Sequence, residues 1–457
     1  MNQVIKKNLL AIAVILSQLT FAQTNGAKSF TLKEAVEYAK KNNYSLKNSN
    51  LDLESSQKKV NEILASGLPQ VNATGSFMNN VQIPTQVLPN FLKPIFVQVG
   101  MPGASGLSDV IAAQFGQKYS ATGSITANQL LFDGGFLMGV KASREFVNLS
   151  RINRNRNEIE TEVNVSKAYY MALVMTTTLN MLDTNLRTLE KSKSDIEKYY
   201  KNGLVEKTDF DRITIQYSAL QLQRDKLIDQ HTLAIMILKL QMGMNVNEEI
   251  TLTDNLEELY KSNIPPSVQE KPDYSKRVEY QLASQSISLN NLNKKRYQYG
   301  YAPTLSAFVT HQQNSYGSDF SAIGNKWYPG TFWGLSLNVP IFDGFRKSAQ
   351  IQQADIEVRK AQNDLKNVQN LIDQQLFQSK MSLERSGQQL KIQEQNYQLA
   401  LQIYSRVSLK FQNGVGSSLE LTTAQNDVAV ARQNYLQTMY EYFSAQIDLR
   451  KATGDIK

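Results

Sequence analysis

Leu131-Phe132-Asp133-Gly134 and Ile341-Phe342-Asp343-Gly344 are two copies of one bend, 210 residues apart. In each, an alternating polar and apolar run, Ser120–Phe132 or Phe332–Phe342, ends at an Asp-Gly pair. An unbroken helical pattern then begins, from Gly135 to about Tyr200 in one copy and from Phe345 to about Phe411 in the other. Two further pairs keep almost the same offset: Asn202-Gly203 with Asn413-Gly414, and Gly243 with Gly454, each 211 apart. Self-similarity at fixed spacing marks a duplicated unit, here strand, helix, turn, helix. The bends have a local reason: Asp133 and Asp343 can accept from the first free amides of the helix, while Gly134 and Gly344 permit the abrupt turn. No base or nucleophile accompanies them, so they are not read as catalytic.

The long helices carry coiled-coil spacing. Ile351, Ala354, Val358, Ala361, Leu365, Val368 and Ile372 step by three and four, and Leu376, Leu383, Leu390, Tyr397, Tyr404 and Phe411 continue by sevens. The step of four into Leu376, following another four, is a stutter that relaxes the supercoil. The returning helix repeats the pattern with Leu421, Ala424, Val428, Ala431 and Tyr435. At about 1.5 Å per residue, Phe345–Phe411 makes roughly 100 Å of helix. Its outer positions hold Gln, Asn, Ser, Lys and Glu, so it borders water throughout.

Composition removes several function classes. The first 22 residues, with Lys6, Lys7 and the apolar Leu9–Phe21, read as a secretory signal, the alternative being a retained anchor. Nothing after it approaches the roughly 18 continuous apolar residues of a membrane helix. If the chain crosses a membrane, it must do so as a closed β-barrel. There is no cysteine, which removes disulfides, thiolate catalysis and most zinc sites. The two histidines, His231 and His311, have no ligand spacing around them. The net charge of +8 is dispersed along helices with no basic block for nucleic acid. Neither an enzyme nor a cofactor site is expected.

In chain order, the first structural repeat is assigned to 23–243, a linker to 244–272 and the second repeat to 273–457. Thr31-Leu32-Lys33-Glu34 is a capping box that starts a helix running to about Ser66, where Gly67-Leu68-Pro69 stops it. Val71, Ala73 and Phe77 then alternate with Asn72, Thr74 and Ser76. A loop follows over 82–117, carrying Pro84, Pro89, Pro94 and Pro102. Loops of this length are usually functional or disordered. The next strand sets Tyr119, Ala121, Gly123, Ile125 and Ala127 against Ser120, Thr122, Ser124, Thr126 and Asn128. In the second repeat, Leu305, Ala307 and Val309 alternate with polar neighbours, as do Trp333, Leu335, Leu337, Val339 and Ile341. The first repeat carries about 24 more residues between its Pro69 and its bend, and the loop holds them. The linker contains Pro265-Pro266 and a short β-like Ile250-Thr251-Leu252.

Strands of about ten residues suit a tilted bilayer crossing, with the apolar face to lipid and the Ser/Thr/Asn face to water. Trp327, Tyr328 and Trp333 would be interfacial aromatics; the competing reading is the edge of a soluble β-sandwich. Four strands cannot close a membrane barrel, whose smallest members have eight, so the chain must oligomerise. Two copies leave an interior that side chains nearly fill, whereas three give twelve strands and room for a channel.

With these features the chain resembles the TolC family of outer-membrane efflux proteins, nearly end to end. The resemblance rests on Phe30-Thr31-Leu32-Lys33-Glu34-Ala35, the Leu-Pro ending the first helix, both Phe-Asp-Gly bends, both Asn-Gly turns and the duplication. It implies a mainly α fold with a transmembrane β part: a homotrimeric twelve-stranded barrel in outer-membrane lipid, continued by a helical coiled-coil tunnel through the periplasm. It also implies docking to a periplasmic adaptor and an inner-membrane pump. The hairpin tips at 201–208 and 412–417 would form the periplasmic end, with Asn202, Gly203, Leu204, Asn413, Gly414 and Val415 available for adaptor docking.

Thr208 and Asp209 match the family's Thr-Asp pair that helps hold the entrance shut. A second reading makes Thr208 the cap of the next helix, with Asp211 at its third position. The second tip departs from the best-known members, having Phe411 in place of a Tyr and Gly416 in place of an Arg. Their polar lock cannot form here in the same way. Glu420 stands where the family has the first of two acidic constriction residues, and Thr423 occupies the second position. Three Glu420 carboxylates round an axis would favour cations, while Ser417 with Glu420 also reads as a capping box. Pro340 lacks a donor, as expected at a strand end or a seam between protomers.

The leading functional expectation is therefore a passive exit duct of an efflux or secretion system. A periplasmic adaptor, which carries one long hairpin rather than two, and a soluble structural coiled coil are the alternatives. The cargo is not legible in the sequence.

Overall fold

The computed structural model describes residues 28–262, 272–413 and 415–456. The expected signal at 1–22, Pro265-Pro266 and Gly414 lie outside them. The elements, in order, begin with β1 (Lys28–Phe30), α1 (Leu32–Asn42), α2 (Tyr44–Ala65) and β2 (Gln70–Asn79). Next come β3 (Thr85–Pro89), α3 (Leu92–Gln98), β4 (Val110–Gln114) and β5 (Tyr119–Phe132). The first long hairpin is α4 (Gly134–Lys201) with α5 (Lys207–Met242), followed by β6 (Ile250–Leu252) and α6 (Leu256–Ser262). The second half supplies α7 (Val278–Tyr299), β7 (Thr304–Gly317), β8 (Tyr328–Asn338), α8 (Arg346–Gln412) and α9 (Ser418–Thr453).

The chain divides into two compact units, to each of which both repeats contribute. One comprises Met1–Ser55, Asn148–Ser286 and Ala361–Lys457; the other comprises Ser56–Val147 and Ile287–Lys360. In the first unit, the residues placed on the coiled-coil seam lie inward: Ala361, Ile372, Leu376 and Leu390 of α8 and Leu421, Ala424 and Tyr435 of α9 are buried. Leu390 and Tyr435 join a core built around Tyr169, Leu238, Met439 and Phe443, while Leu376 packs with Leu449 and Ala452. Tyr170 stacks on Phe443 with ring centroids 4.3 Å apart, and burial pushes its hydroxyl pKa up to about 12.

The first helix differs from expectation. It does not run unbroken to Ser66 but ends at Asn42, and a second helix starts at Tyr44. Asn43 makes the break: its Oδ1 accepts from the amides of Ser45 and Leu46, and its Nδ2 donates to the Gln241 carbonyl. The two backbones approach so closely that a Cβ on Gly243 would lie 2.4 Å from the Asn42 carbonyl oxygen. Only glycine fits there. The Thr31 capping box is present, with Thr31 N donating to Glu34 at 2.8 Å.

The linker is also more ordered than its sequence indicates. β6 pairs in parallel with β1, and Asp254 beyond it accepts from Leu32 N at 2.7 Å and from the Tyr169 hydroxyl at 2.8 Å. Arg277, 2% exposed, ties the end of the chain down. It donates to the Ala452 carbonyl, to Gln375 Oε1 and to Glu279 Oε2. Burial works against the Glu279 carboxylate, but the hydrogen bond and charge of Arg277 outweigh it and hold the carboxyl below its ordinary value.

In the second unit, four antiparallel strands form one sheet in the order β2-β5-β7-β8. Cross-strand partners such as Thr126 with Thr310, or Val71 with Ala127 and Val309, put residues of like type on one face. One face carries Asn72, Thr74, Ser76, Ser120, Thr122, Ser124, Thr126, Asn314 and Gln312, with Met78, Phe308, Tyr316, Tyr328 and Phe332 among them; Thr74 bonds Ser124 and Thr126 bonds Thr310. The opposite face carries Val71, Phe77, Ile125, Val309, Trp333, Leu335 and Leu337. It is interrupted by His311 and Gln313, the former hydrogen-bonded to Thr331 at 2.7 Å. None of the four strands contains Asp, Glu, Lys or Arg. β2 and β8 are the sheet's outer strands, and each is paired along one side.

Two further expectations need correction. The last strand is Tyr328–Asn338 rather than Phe332–Phe342, so Val339 and Ile341 leave the alternation. Pro340, without an amide to donate, stands just beyond the end. The loop 82–117 is not structureless: it folds into the β3–β4 hairpin and α3.

The bends are therefore not copies in space. Asp133 ends β5 and caps α4 directly, accepting from Phe136 N at 2.9 Å. At the second bend, Gly344 and Phe345 are both left-handed, with φ of 66° and 64°, and α8 starts at Arg346. An aromatic residue in that region is strained. Asp343 nevertheless accepts from Lys347 N at 3.2 Å.

Removing the buried guanidinium in an Arg277→Met variant leaves Glu279, Gln375 and the Ala452 carbonyl without their donor. A loss of about 3 kcal/mol is expected, read as a lowered Tm of the detergent-solubilised protein. The Glu279 contribution also has a pH signature. A depressed carboxyl stabilises the fold above its unfolded pKa, ordinarily 4.5, and the stabilisation fades as pH falls through the folded value. The Tm gap between wild type and Glu279→Gln should thus be widest near neutral pH and close in acid; a gap that is flat with pH contradicts the assignment.

Candidate functional site

The two helix–helix turns share one closing hydrogen bond. At the end of α4, Leu204 N donates to the Tyr199 carbonyl at 2.8 Å and Gly203 N to the Tyr200 carbonyl at 3.0 Å. This is a Schellman closure, and the residue at its pivot must be left-handed; Gly203 has φ of 73°. At the end of α8, Val415 N donates to the Lys410 carbonyl at 3.1 Å, the same bond 211 residues later. Asn202, Gly203, Leu204, Asn413 and Val415 are exposed at these turns. Leu204 and Val415 are apolar at 71% and 80% exposure.

The first tip has its own small core. Leu189, Ile196 and Ile213 are buried under Val205, Phe210 and Tyr217, and Tyr200 stacks on Phe210 with planes 3° apart. α5 begins at Lys207, with Glu206 in the cap position, so Thr208 is not the cap and Asp211 is not the third helical residue. Thr208 donates its hydroxyl to Glu206 Oε2 at 3.1 Å instead. Asp209 lies in the first turn, where a negative charge meets the positive end of the helix dipole.

The second tip is closed differently. Ser417 is the cap of α9, its Oγ accepting from Glu420 N at 3.1 Å. Glu420 and Thr423 are exposed on the first turns of α9. Gly416 lies against the end of α8, where a Cβ would come 3.0 Å from the Phe411 amide nitrogen. The half-buried Phe411 thus sits beside a position with no room for a long side chain.

Farther along the hairpins, a cleft of about 390 Å³ separates them, lined by Asn185, Gln216 and Gln223 from one and by Tyr404, Gln425 and Arg432 from the other. Tyr397 stacks on Tyr435 beside it, with Arg432 over the Tyr397 ring. The structure therefore gathers Thr208 with Asp209, and Phe411 with Gly416 and Glu420, at the two turns. It leaves Asp133 and Asp343 as helix-start residues of the other unit. Asp254 and Arg277, which organise the first unit, were not singled out from sequence. Each lies in a stretch without periodic pattern, where an isolated charge looks like any solvated one.

No helix among the described residues is long and apolar enough to cross a membrane. The chain is 20% identical over 311 residues to the protease secretion protein PrtF of Dickeya chrysanthemi, a match spanning 66% of each protein. It is 19% identical over 462 residues to the outer membrane protein TolC of Salmonella enteritidis, covering 98% of this chain and 87% of that one. Among solved structures, CusC, whose transmembrane channel formation has been described, superposes with a TM-score of 0.72 at 16% identity, over 92% of this chain and 91% of that chain. The family described as outer membrane efflux protein matches residues 35–234 and 280–455, one segment in each repeat. On that match, the chain belongs to the outer membrane efflux protein family, whose members are channels of the outer membrane.

Proposed function

We propose that three copies of this chain form the exit duct of a tripartite efflux or secretion system, a passive conduit that docks to a periplasmic adaptor and an inner-membrane pump. The observation that carries this reading is the four-stranded sheet with one polar face, one largely apolar face and two open edges. In lipid, each unpaired N–H and C=O along those edges costs several kcal/mol. Pairing β2 of one copy with β8 of the next removes both edges, and three copies give a twelve-stranded barrel with its hydroxyl and amide side chains inward. The likeness to TolC and PrtF supports the efflux or secretion role. Gating by Thr208, Asp209, Phe411, Gly416, Glu420 and Thr423, and adaptor docking at Asn202, Gly203, Leu204, Asn413, Gly414 and Val415, belong to the same proposal.

The purified protein should run as a trimer on unboiled gels and give discrete conductance steps in planar bilayers. A folded, water-soluble monomer would overturn the reading. In the reconstituted pore, Glu420→Gln should weaken cation selectivity several-fold, read as a reversal-potential shift under a salt gradient. An unchanged potential leaves Glu420 with only its place in the capped first turn. Asp209→Ala should raise conductance and antibiotic uptake. If Tm falls while both stay constant, Asp209 serves the helix terminus and not the gate.

A further inference from the structure

Between β2 and β5 the chain makes an excursion, residues 80–118, at the end of the sheet away from the helix junctions. Its neck is clasped by Asn80, whose N donates to the Lys118 carbonyl at 2.7 Å and whose Nδ2 donates to the Gln117 carbonyl at 2.9 Å. Above the neck stands the β3–β4 hairpin, and above that a second clasp joins Asn90 to the carbonyls of Ser108 and Asp109. The excursion holds three charged residues, Lys93, Asp109 and Lys118, and the first two pair with each other at 2.6 Å. Against this, Val87, Phe91, Ile95, Val99, Met101 and Val110 are all exposed, Phe91 at 66% and Val99 at 77%. So many exposed apolar side chains in one short excursion, with almost no charge among them, mark a contact.

Two observations select the occupant. The first is where the neck lies. Phe77, Tyr119 and Phe320 cluster on the apolar face of the sheet just below it, with centroids 5.8 to 6.2 Å apart. Aromatic girdles mark the boundary of the hydrocarbon layer in membrane barrels, so the excursion begins where lipid ends. The second is the strand that bears it. β2 is an outer strand of the sheet, so each neck rises at the seam where one copy meets the next.

We propose that the three excursions associate with one another through these apolar side chains, forming a hydrophobic constriction over the outer mouth of the barrel. This rests on the trimeric reading above and adds a second narrow point to the duct. The second repeat has no counterpart, since β7 and β8 are joined by the short stretch from 318 to 327.

The absence of native cysteine makes the test clean. Phe91→Cys and Val99→Cys, both at exposed positions, are treated in outer-membrane vesicles with a short bis-maleimide. Covalent dimers at one or both positions, together with slow labelling by a bulky impermeant maleimide, are expected. Replacing 82–116 by a Gly-Ser turn should raise single-channel conductance at least two-fold while the trimer persists on unboiled gels. Rapid complete labelling without dimers, and a conductance unchanged by the replacement in an intact trimer, would overturn the proposal. So would a spin label at Val99 with the oxygen accessibility of lipid, which assigns the surface to the membrane. If the unmodified protein gives no trimer band, the parent reading fails first and takes this one with it.

Discussion

The unpaired rows of amide and carbonyl groups along β2 and β8 govern everything else about this molecule. In water an open edge is tolerable, because solvent completes the hydrogen bonds. In hydrocarbon nothing does, and four strands are too few to curl round and meet. The sheet's two-faced character means that it cannot be buried in a core of either kind. An arrangement in which edges meet edges, with the polar face turned to a shared axis, satisfies the backbone and both faces at once.

The same logic explains the helices. Each long hairpin is apolar along a narrow seam and polar elsewhere, so it buries Ala361, Ile372, Leu390 and Leu421 while leaving Gln, Asn and Lys to solvent. Aliphatic residues line most of the seam, and the stacked pairs Tyr170–Phe443 and Tyr397–Tyr435 add aromatic contacts between helices. Stability along such an element comes from packing rather than from intrinsic propensity. The first unit adds what the seam cannot supply: the parallel β1–β6 pair, the Asp254 contact to Tyr169, and the Arg277 knot at the chain's end.

Much of this was legible before any coordinates. Period-2 alternation named the four strands, heptad spacing named the long helices, and the 210-residue offset joined them into two repeats. The misreadings share a cause. The break at Asn43 reflects a close approach from Gly243, nearly two hundred residues away, which no local pattern records. The second bend looked like the first in sequence, yet Pro340 ended its strand early and Phe345 took a left-handed backbone. At the first tip, Thr208 carried a good capping signature, but the Schellman closure at Gly203 and Leu204 placed the helix start two residues earlier. Turn chemistry upstream overrode it. The roles proposed for the tip residues come only from resemblance, since exposed side chains on short turns carry no pattern of their own.

One property of the sheet has an electrical consequence. Its strands lack any acidic or basic side chain other than His311, and the polar groups of one face, set among Phe308, Tyr316, Tyr328 and Phe332, are mostly hydroxyls and carboxamides. Such groups present either end of a dipole, so they solvate a cation and an anion about equally. A wall of this kind neither repels nor retains a solute by its sign. The sheet's polar groups then carry no charge preference of their own, and any such preference the protein displays must be imposed where carboxylates and ammonium groups stand, outside these strands.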